Sequence, residues 1–253
     1  MRPALFVIPA LMVVSSAAAQ SKPQPTIVLT IGAGVVTGHG LWAVDKQPIC
    51  LLGSGGVCTG QYDTLRIARS ISPSLTIGAS GTYFPSPHLG FHPEISYLGP
   101  PLDDTCAPMF LNPDPPNQRA QQMCDNITAD KGTGGAISIF VGATLRGARH
   151  KAISPYARFN VGLVNISTST TEVVGAYVDA NGVQERQIIE DLNGRGASFM
   201  TGFAAGITTP IGPGYQFRLE ARDVITSLTR VTGPANDLAV APTDTKYFHH
   251  RGL

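Results

Sequence analysis

Arg218, Glu220 and Arg222 stand at alternate positions of one stretch, which poses the first chemical question. In an extended strand, positions i, i+2 and i+4 share a face, so two guanidiniums would flank one carboxylate on a single surface. Arg66, Arg146 and Arg158 fall at matching positions in other segments that alternate the same way. Charges on the enclosed side of a sheet must pair or meet water. Arginine suits that setting because its planar fork holds a carboxylate through two hydrogen bonds. Glu220 is the only carboxylate in the set, so the pattern reads as a salt-bridge and water network with a positive excess. The same excess would suit a narrow path for ions or a small anion.

Other candidate chemistry is sparse. Cys50, Cys58, Cys106 and Cys124 all fall in two long irregular stretches. In an oxidising compartment an even number so placed implies disulfides. Three connectivities are open, and local closure favours Cys50–Cys58 with Cys106–Cys124. Metal binding is the rival, but no CxxC or Cys/His spacing supports it, and no metal or other cofactor is expected. His39, His88, His92 and His150 read as loop or turn residues; His249 and His250, adjacent on a strand, would face opposite ways. No Gly-x-Ser-x-Gly elbow is present, so no catalytic residues are expected.

The elements that would position these charges are strands. The clearest is the hairpin over residues 196–222. Phe199, Thr201, Phe203, Ala205 and Ile207 alternate with small residues, then Tyr215, Phe217, Leu219 and Ala221 alternate with the charged set. A Pro/Gly cluster between the arms supplies the turn. The same two-faced pattern recurs over residues 27–36, 62–71, 75–83, 137–146 and 156–163, which makes seven expected strands. In the 62–71 segment Leu65, Ile67 and Ile71 would face outward and Arg66 inward. Residues 91–98 read as a short strand or a loop-borne arm, and parity of the strand count favours the loop. Residues 173–178 and 183–189 flank Asp179-Ala180-Asn181-Gly182, a good hairpin turn. Long connections (37–60, 84–134, 165–195, 225–246) alternate with short ones.

Residues 1–20 read as a signal peptide: Arg2, an apolar run over 5–14, then Ala17-Ala18-Ala19 before Gln20. Residues 21–253 would form the mature domain. No later segment reaches the ~20 apolar residues of a membrane helix. Charged residues are 14% of the chain, against roughly 25% in ordinary soluble domains. The net charge of +1 carries no nucleic-acid footprint.

Ser154-Pro155-Tyr156, Gly212-Pro213-Gly214-Tyr215 and the following Phe217-Arg218-Leu219-Glu220-Ala221-Arg222-Asp223 carry a resemblance. With the loop asymmetry, they make the chain from Thr26 onward resemble the small eight-stranded outer-membrane β-barrels of Gram-negative envelopes, OmpA-like and OmpX-like. The resemblance implies an all-β, up-and-down antiparallel transmembrane barrel, exported through the periplasm to the outer membrane. Its implied partners are outer-membrane lipid and lipopolysaccharide, the barrel-assembly machinery, and an extracellular ligand at the loops. The chain departs from that pattern at its end. Tyr247 to Leu253 resembles the start of an eighth strand, and the natural chain is expected to continue for about ten residues, the length of a spanning strand. The sequence as read shows neither the terminal aromatic residue in which such barrels usually end, nor the separate periplasmic domain that some OmpA-type proteins append, nor the His-x-Ser pattern expected of outer-membrane lipid A deacylases.

Such barrels host structural, adhesive, channel and enzymatic members, so fold alone does not choose among them. The expected role is non-enzymatic: structural or surface interaction through long disulfide-pinned loops. The alternatives are a narrow channel through the Arg/Glu-lined interior and a lipid-modifying enzyme. A soluble lipocalin-like barrel is the architectural rival, and it would need its apolar faces turned inward.

Overall fold

The computed structural model describes residues 26–52, 58–99, 101–109, 119–130, 134–147, 152–179, 182–189, 196–233 and 242–253. The expected signal peptide lies outside them. In chain order the elements are β1 (Thr26–Val36), β2 (His39–Leu52), β3 (Cys58–Ile71), β4 (Ser74–Phe84), β5 (Leu89–Leu98) and β6 (Leu102–Met109). There follow α1 (Arg119–Ala129), β7 (Ala136–Arg146), β8 (Ser154–Ile166), β9 (Val173–Asp179), β10 (Gly182–Ile189), β11 (Ala197–Gly212), β12 (Tyr215–Val231) and β13 (Thr243–Gly252).

Eight of the strands form a closed antiparallel ring in the order β1-β4-β5-β7-β8-β11-β12-β13, each beside its neighbour in the chain order of the ring. Paired residues can be followed round it. Thr37 lies beside Arg251, then come Asp223, Phe203, Phe159, Ala143, Phe91, Tyr83 and finally Ile27. The path returns to β1 ten residues below its start, from Thr37 to Ile27. With eight strands ~4.8 Å apart and ~3.3 Å per residue, that stagger tilts the strands by about 40° to the ring axis. β13 meets β1 at one end: Val36 faces Gly252, and Val35 and Leu253 exchange backbone hydrogen bonds of 2.9 and 3.0 Å.

Period-two alternation sorts the ring strands into two faces, with the apolar face outward. Ile27, Leu29 and Ile31 are exposed, Ile31 at 91%. Leu75, Ile77, Phe91, Ile95, Ile137, Ile139, Phe159, Leu163, Phe203, Phe217 and Leu219 continue the belt. A lipocalin-like arrangement with inward apolar faces is therefore not the one adopted. Among the aromatics at strand ends, Tyr83 and Tyr215 point outward, whereas Phe84 and Tyr156 are buried inside.

The connections keep the expected asymmetry, and two of the three short links join the expected strands; the third joins β4 to β5 in place of residues 62–71 to 75–83. Short links join β4 to β5, β7 to β8 and β11 to β12; the last is the Pro213-Gly214 turn, with Gly214 at φ +81°. Long excursions all leave the opposite end. They build a cap: a three-stranded sheet in the order β2-β3-β6, the β9–β10 hairpin and α1. The hairpin pairs Asp179 with Gly182, as its turn sequence implies, and forms a separate two-stranded sheet.

Three strand expectations are corrected. Residues 62–71 belong to β3 in the cap, not to the ring. Leu65 and Ile67 are completely buried there, in a cluster with Trp42, Val44, Leu102, Met123, Ile127, Tyr177 and Ile189. Residues 91–98, expected as loop, are ring strand β5, paired with both β4 and β7. The eighth ring strand starts at Thr243, earlier than the expected Tyr247.

α1 was not anticipated in the Pro-rich excursion. Its buried residues Ala120, Met123, Cys124 and Ile127 follow the i, i+3, i+4, i+7 spacing of a helix face. The Cys106–Cys124 disulfide ties it to β6, with Cα atoms 4.9 Å apart. The proposed Cys50–Cys58 pairing falls on side chains outside the described part.

Candidate functional site

Inside the ring, β5, β8 and β12 project charged side chains toward one another. Alternation puts His92 and Glu94 inward between Phe91, Pro93 and Ile95, and it puts Arg218, Glu220 and Arg222 inward between Phe217, Leu219 and Ala221. Tyr156 and Arg158 enter from β8. Gly206 leaves room for Tyr156; a Cβ there would sit 2.7 Å from Tyr156 Oη.

The polar atoms converge. Glu94 accepts hydrogen bonds from Arg158 Nη1 at 2.9 Å and Arg222 Nη1 at 2.7 Å. Glu220 accepts from Tyr156 Oη at 2.7 Å and from Arg222 at 2.9 Å through Nη2 and 3.2 Å through Nε. Arg158 and Arg218 also donate to Glu220, and Arg218 Nε donates to Tyr156 Oη at 2.6 Å. His92 is fully enclosed, with Nδ1 2.7 Å from Thr82 Oγ1 and Nε2 against Glu94 and Arg158. Nε2 stands between a donor, Arg158, and an acceptor, Glu94, and in a given protonation state it can bond only one of the two.

Arg158 is the centre: its side chain is 1% exposed and bridges Glu94 on β5 to Glu220 on β12. These strands are not neighbours, so the network braces the ring across its interior. Three guanidiniums face two carboxylates, leaving one positive charge over.

An apolar layer lies between the network and the cap, formed by Ala136, Phe140, Val164 and Met200 with Leu98, Ile166 and Val224 packed against them. Within it is a cavity of about 90 Å³, reaching from Arg222 to Ile71, Leu102 and Leu228 on the cap side. His250 also lines it, and its Nδ1 is buried without a hydrogen-bond partner.

Of the six charges read from the sequence, the structure brings together Arg158, Arg218, Glu220 and Arg222. Arg66 is elsewhere: it lies on the outer face of the cap sheet, 59% exposed, 3.3 Å from Asp45. The inward-facing arginine of β3 is Arg69. It forms a two-pronged pair with Asp104 at 2.7 and 2.6 Å, lies against Trp42 and donates to the Ser169 carbonyl. Arg146 is inside the ring but at its short-turn end, stacked on Phe84 and donating to the Pro87 carbonyl at 2.9 Å. Glu94 and His92 were missed as network members. Their signal was the alternation of residues 91–98, which the strand count had assigned to a loop.

No family model matches the chain, and neither a curated protein nor a solved structure matches it.

Proposed function

We propose that the chain is an outer-membrane β-barrel with a non-enzymatic, structural or surface-interaction role, carried out by the folded cap at its outer end. The single observation behind this is the belt of exposed Ile, Leu, Val and Phe side chains on the ring strands. Soluble proteins rarely leave contiguous apolar patches above a few hundred Å² open to water, whereas a barrel wall in lipid requires them. No helix among the described residues is long and apolar enough to cross a membrane, and this does not bear on a barrel, which crosses by strands.

In this reading the short turns face the periplasm and the cap faces outward, stapled by Cys106–Cys124 in an oxidising compartment. The wall contacts lipid and lipopolysaccharide, and the barrel-assembly machinery inserts it. The cap has a hydrophobic core of its own, continuous with Leu228, Val231 and Phe248 from the upper ends of β12 and β13. That makes it a rigid surface and not a set of independent loops, the form suited to holding one ligand or partner. An ion path is the weaker reading, because a passing ion would have to cross both the braced charges and the apolar layer in series.

The test is gel mobility of the full-length protein extracted from membranes in detergent, boiled against unboiled. A shift on boiling is expected. Recovery in the soluble fraction with no shift overturns the membrane reading.

A further inference from the structure

We propose that the interior of the ring holds a binding site for a small organic monoanion with a short apolar tail, seated with its carboxylate on Arg222 and its tail in the cavity above. The site is separate from the cap surface and does not depend on where the protein resides.

Charge carries the first part of the argument. Among the described residues, Arg158, Arg218 and Arg222 pair only with Glu94 and Glu220 in this layer, and an unmatched charge enclosed by the ring is costly. Arg222 is where a further anion could be accepted. Its side chain is the most exposed of the three, at 27%. Its hydrogen bonds use Nε, Nη1 and Nη2 once each, leaving one N–H on each terminal nitrogen.

Shape carries the second part. Arg222 lines the floor of the apolar cavity, whose walls are Val36, Leu98, Phe140, Val164, Met200 and Val224. His250, opposite Val224 in the register, lines the same space, and its buried Nδ1 has no hydrogen-bond partner among the described residues. An N–H there would be a second donor to a carboxylate held by Arg222. At about 90 Å³, the space is well above the ~10–15 Å³ that admits a single water. A short apolar tail beyond the carboxylate fits it.

Calorimetric titration of the full chain in a neutral maltoside detergent tests the site, with butyrate, formate and 1-butanol as probes. Butyrate is expected to bind, each carbon from formate to butyrate tightening binding about fourfold, and 1-butanol at least tenfold more weakly than butyrate. Arg222→Gln should remove the preference of butyrate over butanol. Met200→Trp, which fills the cavity, should remove the preference of butyrate over formate, and Val164→Phe, filling it from another strand, should do the same. Each variant is first checked for the mobility shift of the folded ring, so that misfolding is not read as lost binding. Three results would overturn the proposal: no heat from butyrate with correctly folded protein, equal affinity for formate and butyrate, or undiminished butyrate binding by Arg222→Gln.

Discussion

Arg158 and Arg66 look alike in the sequence, each at an inward position of an alternating segment, yet their environments differ completely. Arg158 is enclosed and shared by two carboxylates, whereas Arg66 meets Asp45 in open solvent. Removing one partner of a buried pair leaves an uncompensated charge and costs about 3–5 kcal/mol. Glu94→Gln is therefore expected to lower the stability of the folded ring by that amount, read from urea unfolding of the detergent-solubilised protein. Arg66→Ala should change it by less than ~1 kcal/mol, the usual worth of an exposed pair. Equal effects would mean that the charges of the ring are not braced as described.

Among the elements, α1 does more than fill the cap. Gln122 Oε1 accepts from the Val178 N–H at 2.9 Å and Asn126 Oδ1 from the Ala176 N–H at 3.0 Å. Four helical residues rise about 6 Å and two strand residues about 6.7 Å, so side chains at i and i+4 can follow alternate edge groups of β9. Replacing both Gln122 and Asn126 by Ala should raise hydrogen exchange at the Ala176 and Val178 amides at least tenfold, while leaving the β11–β12 amides unchanged. The Cys106–Cys124 bond holds the same helix to β6. Losing it, by Cys106→Ser with Cys124→Ser, is expected to destabilise the cap by about 2–4 kcal/mol. Limited proteolysis should then cut the cap and spare the ring.

The joint between cap and ring has a pH response of its own. His39 at the start of β2 stacks on Phe248 and meets His250 edge-on, with both of its ring nitrogens buried and unpartnered. Burial holds the His39 imidazole below its ordinary value. The unfolded chain takes up that proton near pH 6.5 and the folded one only at lower pH. Its contribution is thus present above about pH 6.5 and lost as pH falls. Unfolding midpoints compared at pH 7 and pH 5 should show a drop that His39→Phe reduces.

For the whole molecule, the decisive contrast lies between two apolar surfaces. Val141 is part of the outward belt and Ile67 is in the core of the cap. On the proposed membrane reading, Val141→Arg should weaken folding into lipid vesicles by about 2–4 kcal/mol, the cost of an arginine at the midplane of a barrel's lipid face, while leaving the cap folded. Ile67→Arg should abolish cap protection from protease with the mobility shift of the ring retained. Both substitutions behaving as core mutations would point to a soluble ring covered by another protein surface.

Much of the architecture was legible in residue order because it is local. A strand repeats every two residues, so the inner and outer faces of β1, β4, β7, β8, β11 and β12 follow from alternation alone. Turn chemistry at Pro213-Gly214 and at Asp179 to Gly182 placed two hairpins, and the spacing of Cys106 and Cys124 suggested their bond. Loop lengths sorted the two ends of the molecule. Tertiary structure alone decided which alternating segments enter the ring. Leu65, Ile67 and Ile71 carry the same pattern as Phe91, Ile95 and Tyr97, yet the first set packs beneath Trp42 and Met123 while the second faces outward. Alternation records that one face of a strand avoids water and not what covers it. The covering of β3 by β2, β6 and α1, and the meeting of Glu94 with Arg158 and Arg222, join residues far apart in the chain, a pairing that no local period encodes.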